Sequence, residues 1–141
     1  MRIMAIDYGD AHTGVAISDP TGLLAGFTTV INAYRPDRVT GQIALLAKEH
    51  RVERLVLGHP INMDGTRGPR SEKAQAMRQL LEETTGLTVV LWDERRTTID
   101  AHQILMSSGK NAKKRKKVVD AVAASLILEG YLTYLKTHPE G

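Results

Sequence analysis

The segment RLVLG at residues 54–58 constrains the fold most, because its apolar residues are continuous instead of alternating with polar ones. Such a run is typical of a central strand buried on both faces of a sheet. It follows a stretch with helical spacing over residues 35–50 and precedes another that begins at Pro69. A buried strand between two amphipathic helices predicts an α/β fold in which helices flank a sheet.

The other segments predict a mixed sheet of five strands. Residues 54–58 are the expected fourth strand and residues 87–94 the expected fifth. We expect both to run parallel to strand one. Further helices are expected over residues 96–109 and from about residue 117 to 136. Three short apolar segments with short connections predict an antiparallel meander at the start of the chain: residues 2–7, 13–19 and 23–32.

Size and composition indicate an ordinary globular domain. A chain of 141 residues, 42% hydrophobic and 25% charged, is the size and composition of one soluble domain. The absence of cysteine excludes disulfides, thiolate zinc sites and cysteine nucleophiles. No apolar run approaches the roughly 20 residues that span a bilayer, and the first residues lack a signal-peptide layout. We therefore expect a cytoplasmic protein without a membrane partner.

The positive charge is concentrated in one segment. Six of the 19 Lys and Arg residues lie within residues 110–117, which contain no acid, whereas the rest of the chain has 13 cations against 16 acids. A basic segment on a mildly acidic body predicts a contact surface for a polyanion. The alternative is a solvated, flexible charged loop. The candidate contacts are Lys113, Lys114, Arg115, Lys116 and Lys117.

Three carboxylates occupy unusual positions. Asp7 ends the first predicted strand, and Glu94 ends the fifth. Since parallel strands end at one edge of the sheet, where ligands bind in open α/β folds, both acids should meet there. Asp120 begins the apolar stripe of the last helix and would complete the group from one face. The alternatives are a turn for Asp7, an arginine partner for Glu94 and helix capping by Asp120.

Such a group of acids would need cations. Two like charges about 4 Å apart repel by roughly 4 kcal/mol at an effective dielectric constant of 20, so converging carboxylates take up protons or bind cations. Carboxylates without His or Cys suit Mg²⁺ or Mn²⁺. Beside a cationic segment this predicts phosphodiester chemistry, in which two ions about 3.5–4 Å apart hold an attacking water and a leaving oxygen.

Four motifs carry a family resemblance: AIDYGDAHTGVAISD, LGHPINMDGTRGP, WDERRTT and KKVVDAVAASLILEGYL. In order and spacing they resemble the bacterial YqgF family, also called RuvX or pre-16S rRNA nucleases and, in older naming, Holliday-junction-resolvase-like proteins. The likeness covers nearly the whole chain. It implies one ribonuclease H-like domain over residues 1–141, and an Mg²⁺- or Mn²⁺-dependent nuclease linked to maturation of the 5′ end of 16S ribosomal RNA.

The resemblance also implies a catalytic and metal-binding triad of Asp7, Glu94 and Asp120. Neighbouring residues of a strand face opposite ways, so Asp93 competes with Glu94, and only the resemblance favours Glu94.

Further matches fall on the segments expected to meet the nucleic acid. Gly9 matches the turn after the first strand. The family's phosphate-contacting segment corresponds to Arg95, Thr97 and Thr98.

Two of these motifs depart from the family pattern. His12 and Thr13 stand where a basic and an aliphatic residue are usual, and His59 stands in a motif that commonly reads Gly-Leu-Pro. Both histidines are interpreted either as phosphate contacts or as ordinary surface residues.

The expected partner is nucleic acid, either structured or precursor rRNA or branched DNA, with the chain acting as a monomer or weak homodimer. Two alternatives to rRNA maturation stay within nucleic-acid chemistry: a non-catalytic binding protein in transcription or ribosome assembly, and a Holliday-junction resolvase. A third alternative comes from IDYGDAHTGVAI, which also resembles the phosphate loop of sugar kinases and actin-like ATPases. Those proteins need two such domains to enclose a nucleotide.

Overall fold

The computed structural model of the protein describes residues 1–9, 11–21, 25–59, 68–93 and 112–138, and for residues 25, 69, 70 and 112–121 it describes the backbone alone. Within these ranges the chain forms five strands and three helices. In chain order they are β1 (Ile3–Asp7), β2 (His12–Ser18), β3 (Ala25–Asn32), α1 (Pro36–Glu49), β4 (Arg54–His59), α2 (Pro69–Thr85), β5 (Thr88–Asp93) and α3 (Ala112–Thr137).

The strands form one mixed sheet in the order β3-β2-β1-β4-β5. The meander pairs β1 with β2 and β2 with β3 in antiparallel fashion. Parallel ladders join β1 to β4 and β4 to β5. The predicted mixed five-stranded α/β sheet is therefore confirmed, and the continuous apolar run of β4 lies between β1 and β5 as expected.

The sheet separates two hydrophobic clusters. In β1, Met4 and Ile6 belong to the cluster that α1 and α2 cover, whereas Ile3 and Ala5 belong to the cluster under α3. All four side chains are buried. Because successive residues of a strand point to opposite faces, β1 is held by packing from both sides, which fixes its register against its neighbours.

The first two helices begin and end as their sequences predict. Val39, Ile43 and Ala47 form the buried stripe of α1. Pro69 is the first helical residue of α2, where its missing N–H would have no partner within the helix. Gly86 ends α2 in the left-handed region, with φ of 71°, and its N–H donates to the carbonyl oxygen of Glu82.

The last helix begins earlier than the sequence pattern predicts. The backbone is helical from Ala112, so the expected start near Lys117 is wrong, and so is the alternative interpretation of the basic run as a loop. Lys and Arg are good helix formers, and a block of them does not by itself stop a helix. The helix predicted over residues 96–109 lies outside the described residues. No helix within the described ranges is long and apolar enough to cross a membrane.

The last helix packs mainly on β1, β2 and β3, and its C-terminal half also contacts the side chain of Trp92 in β5. The indole ring meets Tyr131 edge to face, with ring centroids 5.8 Å apart, and it meets Tyr134 at the same distance. Gly130 lets the helix approach closely, because a Cβ there would lie 3.2 Å from Cζ2 of Trp92. This contact fixes the separation between α3 and β5.

Two buried threonines test the value of a hydrogen bond in this core. Within the described part of the chain, the hydroxyl of Thr13 is fully buried without a partner, whereas that of Thr40 donates to the carbonyl of Asp37 at 3.0 Å. We expect Thr13→Val to raise the free energy of unfolding by about 1 kcal/mol, because valine removes an unpaired buried hydroxyl. Thr40→Val should lower it by about 1 kcal/mol. Urea denaturation of both variants measures the difference, and equal effects would contradict this account.

Candidate active site

Asp7 lies at the carboxyl end of β1, on the face of the sheet that α3 covers. It follows Ile3 and Ala5 at intervals of two, and its side chain is half-buried. Its register partner on β2 is Gly14. On the other side, the pairing of Ile6 with Leu57 brings Asp7 level with Gly58 of β4. Neither glycine contributes a side chain to the surface around the Asp7 carboxylate.

The end of β5 distinguishes its two acidic candidates. Trp92 packs in the cluster under α3, so Asp93, the next residue, belongs to the opposite face together with Val89 and Leu91. Asp93 is therefore turned away from the face that carries Asp7. Glu94 itself lies outside the described residues.

The third member of the predicted triad is carried by α3. Asp120 lies within the helical backbone, three residues after Lys117, and its side chain is outside the described part of the structure. Ala124, Ile127 and Tyr131 continue the predicted stripe and are buried.

Within the described residues, no three His, Asp or Glu side chains are grouped closely enough to hold a metal ion. This finding does not apply to the predicted triad, because the side chains of Glu94 and Asp120 are not among those described. Asp7 is the one triad member whose side chain the structure describes.

The predicted nucleic-acid contacts fall into three groups. Gly9 has a structural requirement of its own, because a Cβ there would collide with the carbonyl oxygen of His12 across the tight turn. The basic run from Lys113 to Lys117 forms the first turns of α3, on the same helix as Asp120. The remaining predicted contacts lie outside the described residues: Arg95, Thr97 and Thr98.

The two histidines that depart from the family pattern have different environments. His59 is buried, and its Nε2 lies 2.6 Å from Oγ of Ser71 in α2, so its interpretation as an ordinary surface residue is wrong. A polar residue at the end of a buried strand is tolerated when it finds such a partner. His12 is half-buried, with Nδ1 2.6 Å from Oδ1 of Asn32 on β3. That contact links His12 to its register partner on the neighbouring strand.

A pocket on the α1/α2 side of the same sheet edge was not predicted from the sequence. Tyr8, directly after Asp7, and Tyr34, before α1, line it together with α2. The sequence does contain one signal: Tyr34 is an aromatic residue in the segment NAYRPDR, where no apolar stripe requires a ring.

Solved structures of Holliday junction resolvases share this fold. The RuvC protein of Thermus thermophilus, in complex with a Holliday junction substrate, superposes with a TM-score of 0.63 at 16% identity, covering 95% of this chain and 96% of that chain. The yeast mitochondrial Holliday junction resolvase superposes with a TM-score of 0.58 at 9% identity, covering 96% and 80%. The fold is therefore that of the RuvC-like resolvases, which have the RNase H fold.

Sequence comparison gives the family. The profile described as "RuvX: Holliday junction resolvase" matches residues 1–134. A relative from Halothermothrix orenii is 44% identical over 134 residues, covering 95% of this chain and 96% of the relative. One from Bacillus subtilis is 44% identical over 137 residues, covering 96% and 99%. Both bear the name "Putative pre-16S rRNA nuclease". The chain belongs to the RuvX family, and the predicted resemblance is confirmed.

The turn at Gly9 can be tested against a second glycine. Gly9→Ala should lower the free energy of unfolding by about 1–3 kcal/mol, because the new methyl group would force the backbone apart at His12. Gly41→Ala is the matched control. It lies within α1 with open space around it, and alanine there should raise stability by about 1 kcal/mol. Chemical denaturation measures both, and a stable Gly9→Ala variant with weakened RNA binding would instead indicate a direct contact.

Proposed function

We propose that the protein is a divalent-metal-dependent nuclease that hydrolyses phosphodiester bonds during maturation of the 5′ end of pre-16S rRNA. The observation that carries this proposal is Asp7, a half-buried carboxylate at the carboxyl end of the middle strand, level with a glycine on each side. The names of the close relatives support the substrate. Work on ribosomal RNA precursors in a bacterium would take place in the cytoplasm.

The sheet register supports Glu94 as the second carboxylate. Asp7 is level with Gly58, and Gly58 pairs with Trp92, so the end of β5 is two strand spacings, about 10 Å, from the end of β1. Asp93 belongs to the other face. Of the two neighbouring acids Asp93 and Glu94, we therefore assign Glu94 to the site.

The length of α3 supports Asp120 as the third. The Arg54 guanidinium donates to the Tyr131 hydroxyl at 2.8 Å, which links the helix to the beginning of β4. Position 120 precedes Tyr131 by three turns, about 16 Å along the axis, at nearly the same angle around the helix. The strand rises by about 13 Å from Ile3 to Asp7. The helix is thus long enough to bring position 120 to the edge where Asp7 lies.

The donor set suits a hard cation. Asp7, Glu94 and Asp120 would hold Mg²⁺ or Mn²⁺ through carboxylate oxygens, the ligands that these ions prefer. Such an ion, when bound, supplies an activated water and neutralises charge on the phosphate. The chain contributes carboxylates fixed at the ends of buried elements. It also places the cation Lys117 only about 4.5 Å along the α3 axis from position 120, where it would hold the phosphate backbone.

Asp7→Asn tests the catalytic assignment. We expect cleavage of a 5′-extended 16S precursor with Mn²⁺ to fall by about three orders of magnitude, because amide oxygen replaces a charged ligand. The melting temperature should stay near that of the wild type.

Asp37→Asn is the matched control, since Asp37 is an exposed acid that pairs with Arg35 at 3.1 Å. It should cleave normally. Normal cleavage by Asp7→Asn would remove the mechanism, and cutting of a four-way DNA junction in preference to the RNA would favour the resolvase alternative.

The basic turns of α3 favour a second candidate, a protein that binds nucleic acid without cutting it. Replacing Lys113 to Lys117 with Gln preserves helix propensity while removing five charges. The slope of log affinity against log salt should flatten, by roughly 0.7 for each lost contact with a single-strand phosphate.

A control variant removes five exposed cations elsewhere, Arg38, Lys48, Arg51, Arg78 and Lys136. Fluorescence anisotropy at several salt concentrations compares the two. If both variants change the slope equally, the basic run has no special role.

A further inference from the structure

The unpredicted pocket lies beside the proposed active site, across the edge of the sheet. Its volume is about 300 Å³. Tyr8 packs against the cluster under α1 and α2, whereas its neighbour Asp7 follows the residues under α3. The Cα atoms of these two neighbours are about 3.8 Å apart. Residues from three parts of the chain line the pocket. They are Tyr8 after β1, Tyr34 and Pro36 at the start of α1, and Lys73, Met77 and Leu80 of α2.

We propose that this pocket binds one unpaired nucleobase of the nucleic-acid substrate, next to the phosphate that Asp7 addresses. The inference rests on the proposed function for the nature of the ligand, but the pocket can be tested independently. It would make the enzyme prefer substrates with a single-stranded nucleotide beside the cleaved bond.

The aromatic residues of the pocket suit a base. Tyr34 is 79% exposed, whereas Tyr131 in the core is 1% exposed. A large ring held in water at the mouth of an apolar pocket offers a face on which a planar base can stack. Unpaired RNA bases are commonly recognised by stacking on aromatic side chains, and such stacking tolerates any sequence because every base has a π face.

The volume of the pocket and the chemistry of its lining favour a nucleotide as the ligand. A volume of about 300 Å³ is at the lower end for ligand pockets. It is large enough for one ring system but too small for a peptide helix. Met77 and Leu80 supply an aliphatic floor, and Lys73 brings a positive charge to the pocket lining. An apolar floor, a tyrosine face and an ammonium group match a base that carries a phosphate.

Met77 provides a direct probe. It is one of the five methionines of the chain, and it lines the pocket. Its [¹³C]methyl resonance therefore reports whether a ligand occupies the pocket. Adenosine monophosphate and uridine monophosphate should shift this resonance, and ribose 5-phosphate, which lacks a base, should not. Tyr34→Ala should weaken nucleotide binding about tenfold, while Tyr34→Phe should retain it because stacking does not need the hydroxyl. Phe27→Ala removes an exposed ring on β3 and should have no effect.

The RNA experiment uses the Asp7→Asn protein, so that the substrate is not consumed. A single abasic nucleotide beside the cleavage position should weaken binding by the same factor as Tyr34→Ala, and combining the two should add little. The proposed base-binding pocket is wrong if neither nucleotide shifts the Met77 resonance, or if the Tyr34→Ala variant binds the nucleotides normally. Either result counts against the pocket even if the wild type cleaves RNA. A responsive Met77 in a protein that cuts no precursor supports the pocket and removes the nuclease.

Discussion

The parallel pairing of β1 with β4 and of β4 with β5 is the constraint on which the rest of the structure depends. It brings the carboxyl ends of β1 and β5 to one edge with a single strand between them. A slip of one residue would turn every side chain of β1 to the other face, including Asp7. Burial of Met4 and Ile6 on one face and of Ile3 and Ala5 on the other opposes that slip. The hydrophobic core therefore determines which way a polar side chain points.

Trp92 extends this control from the sheet to α3. It follows the register of β5 and contacts Tyr131 and Tyr134, and Gly130 lets the helix lie close to the ring. The strand that Trp92 nearly ends leads to Glu94, and the helix that it contacts carries Asp120. Any shift of α3 against the indole ring would move one proposed carboxylate relative to another. Close packing of apolar and aromatic side chains thus contributes to the geometry of the proposed carboxylates.

Much of this fold follows from local patterns, and the exceptions have identifiable causes. Apolar runs predict all five strands, and Pro69 predicts where α2 begins. The start of α3 was missed because charge patterns do not reveal helicity where every residue is a good helix former. The burial of His59 depends on Ser71 of another element, and the pocket at Tyr34 depends on the distance between α1 and α2. Such tertiary contacts leave no periodic signal in the sequence. The place of Asp7 was predictable because it follows from the end of β1.

The chemistry of the proposed site reflects the two-residue period of a strand. Asp7 and Tyr8 are neighbours, yet the first belongs to the α3 face and the second packs toward α1 and α2. A single strand end therefore presents a carboxylate to one side and an aromatic ring to the other. A nucleic-acid strand has the same division, with charged phosphates along its backbone and apolar bases projecting from it. An edge that separates charge from aromatic surface within one residue step can contact both parts of a nucleotide without burying the phosphate in an apolar environment.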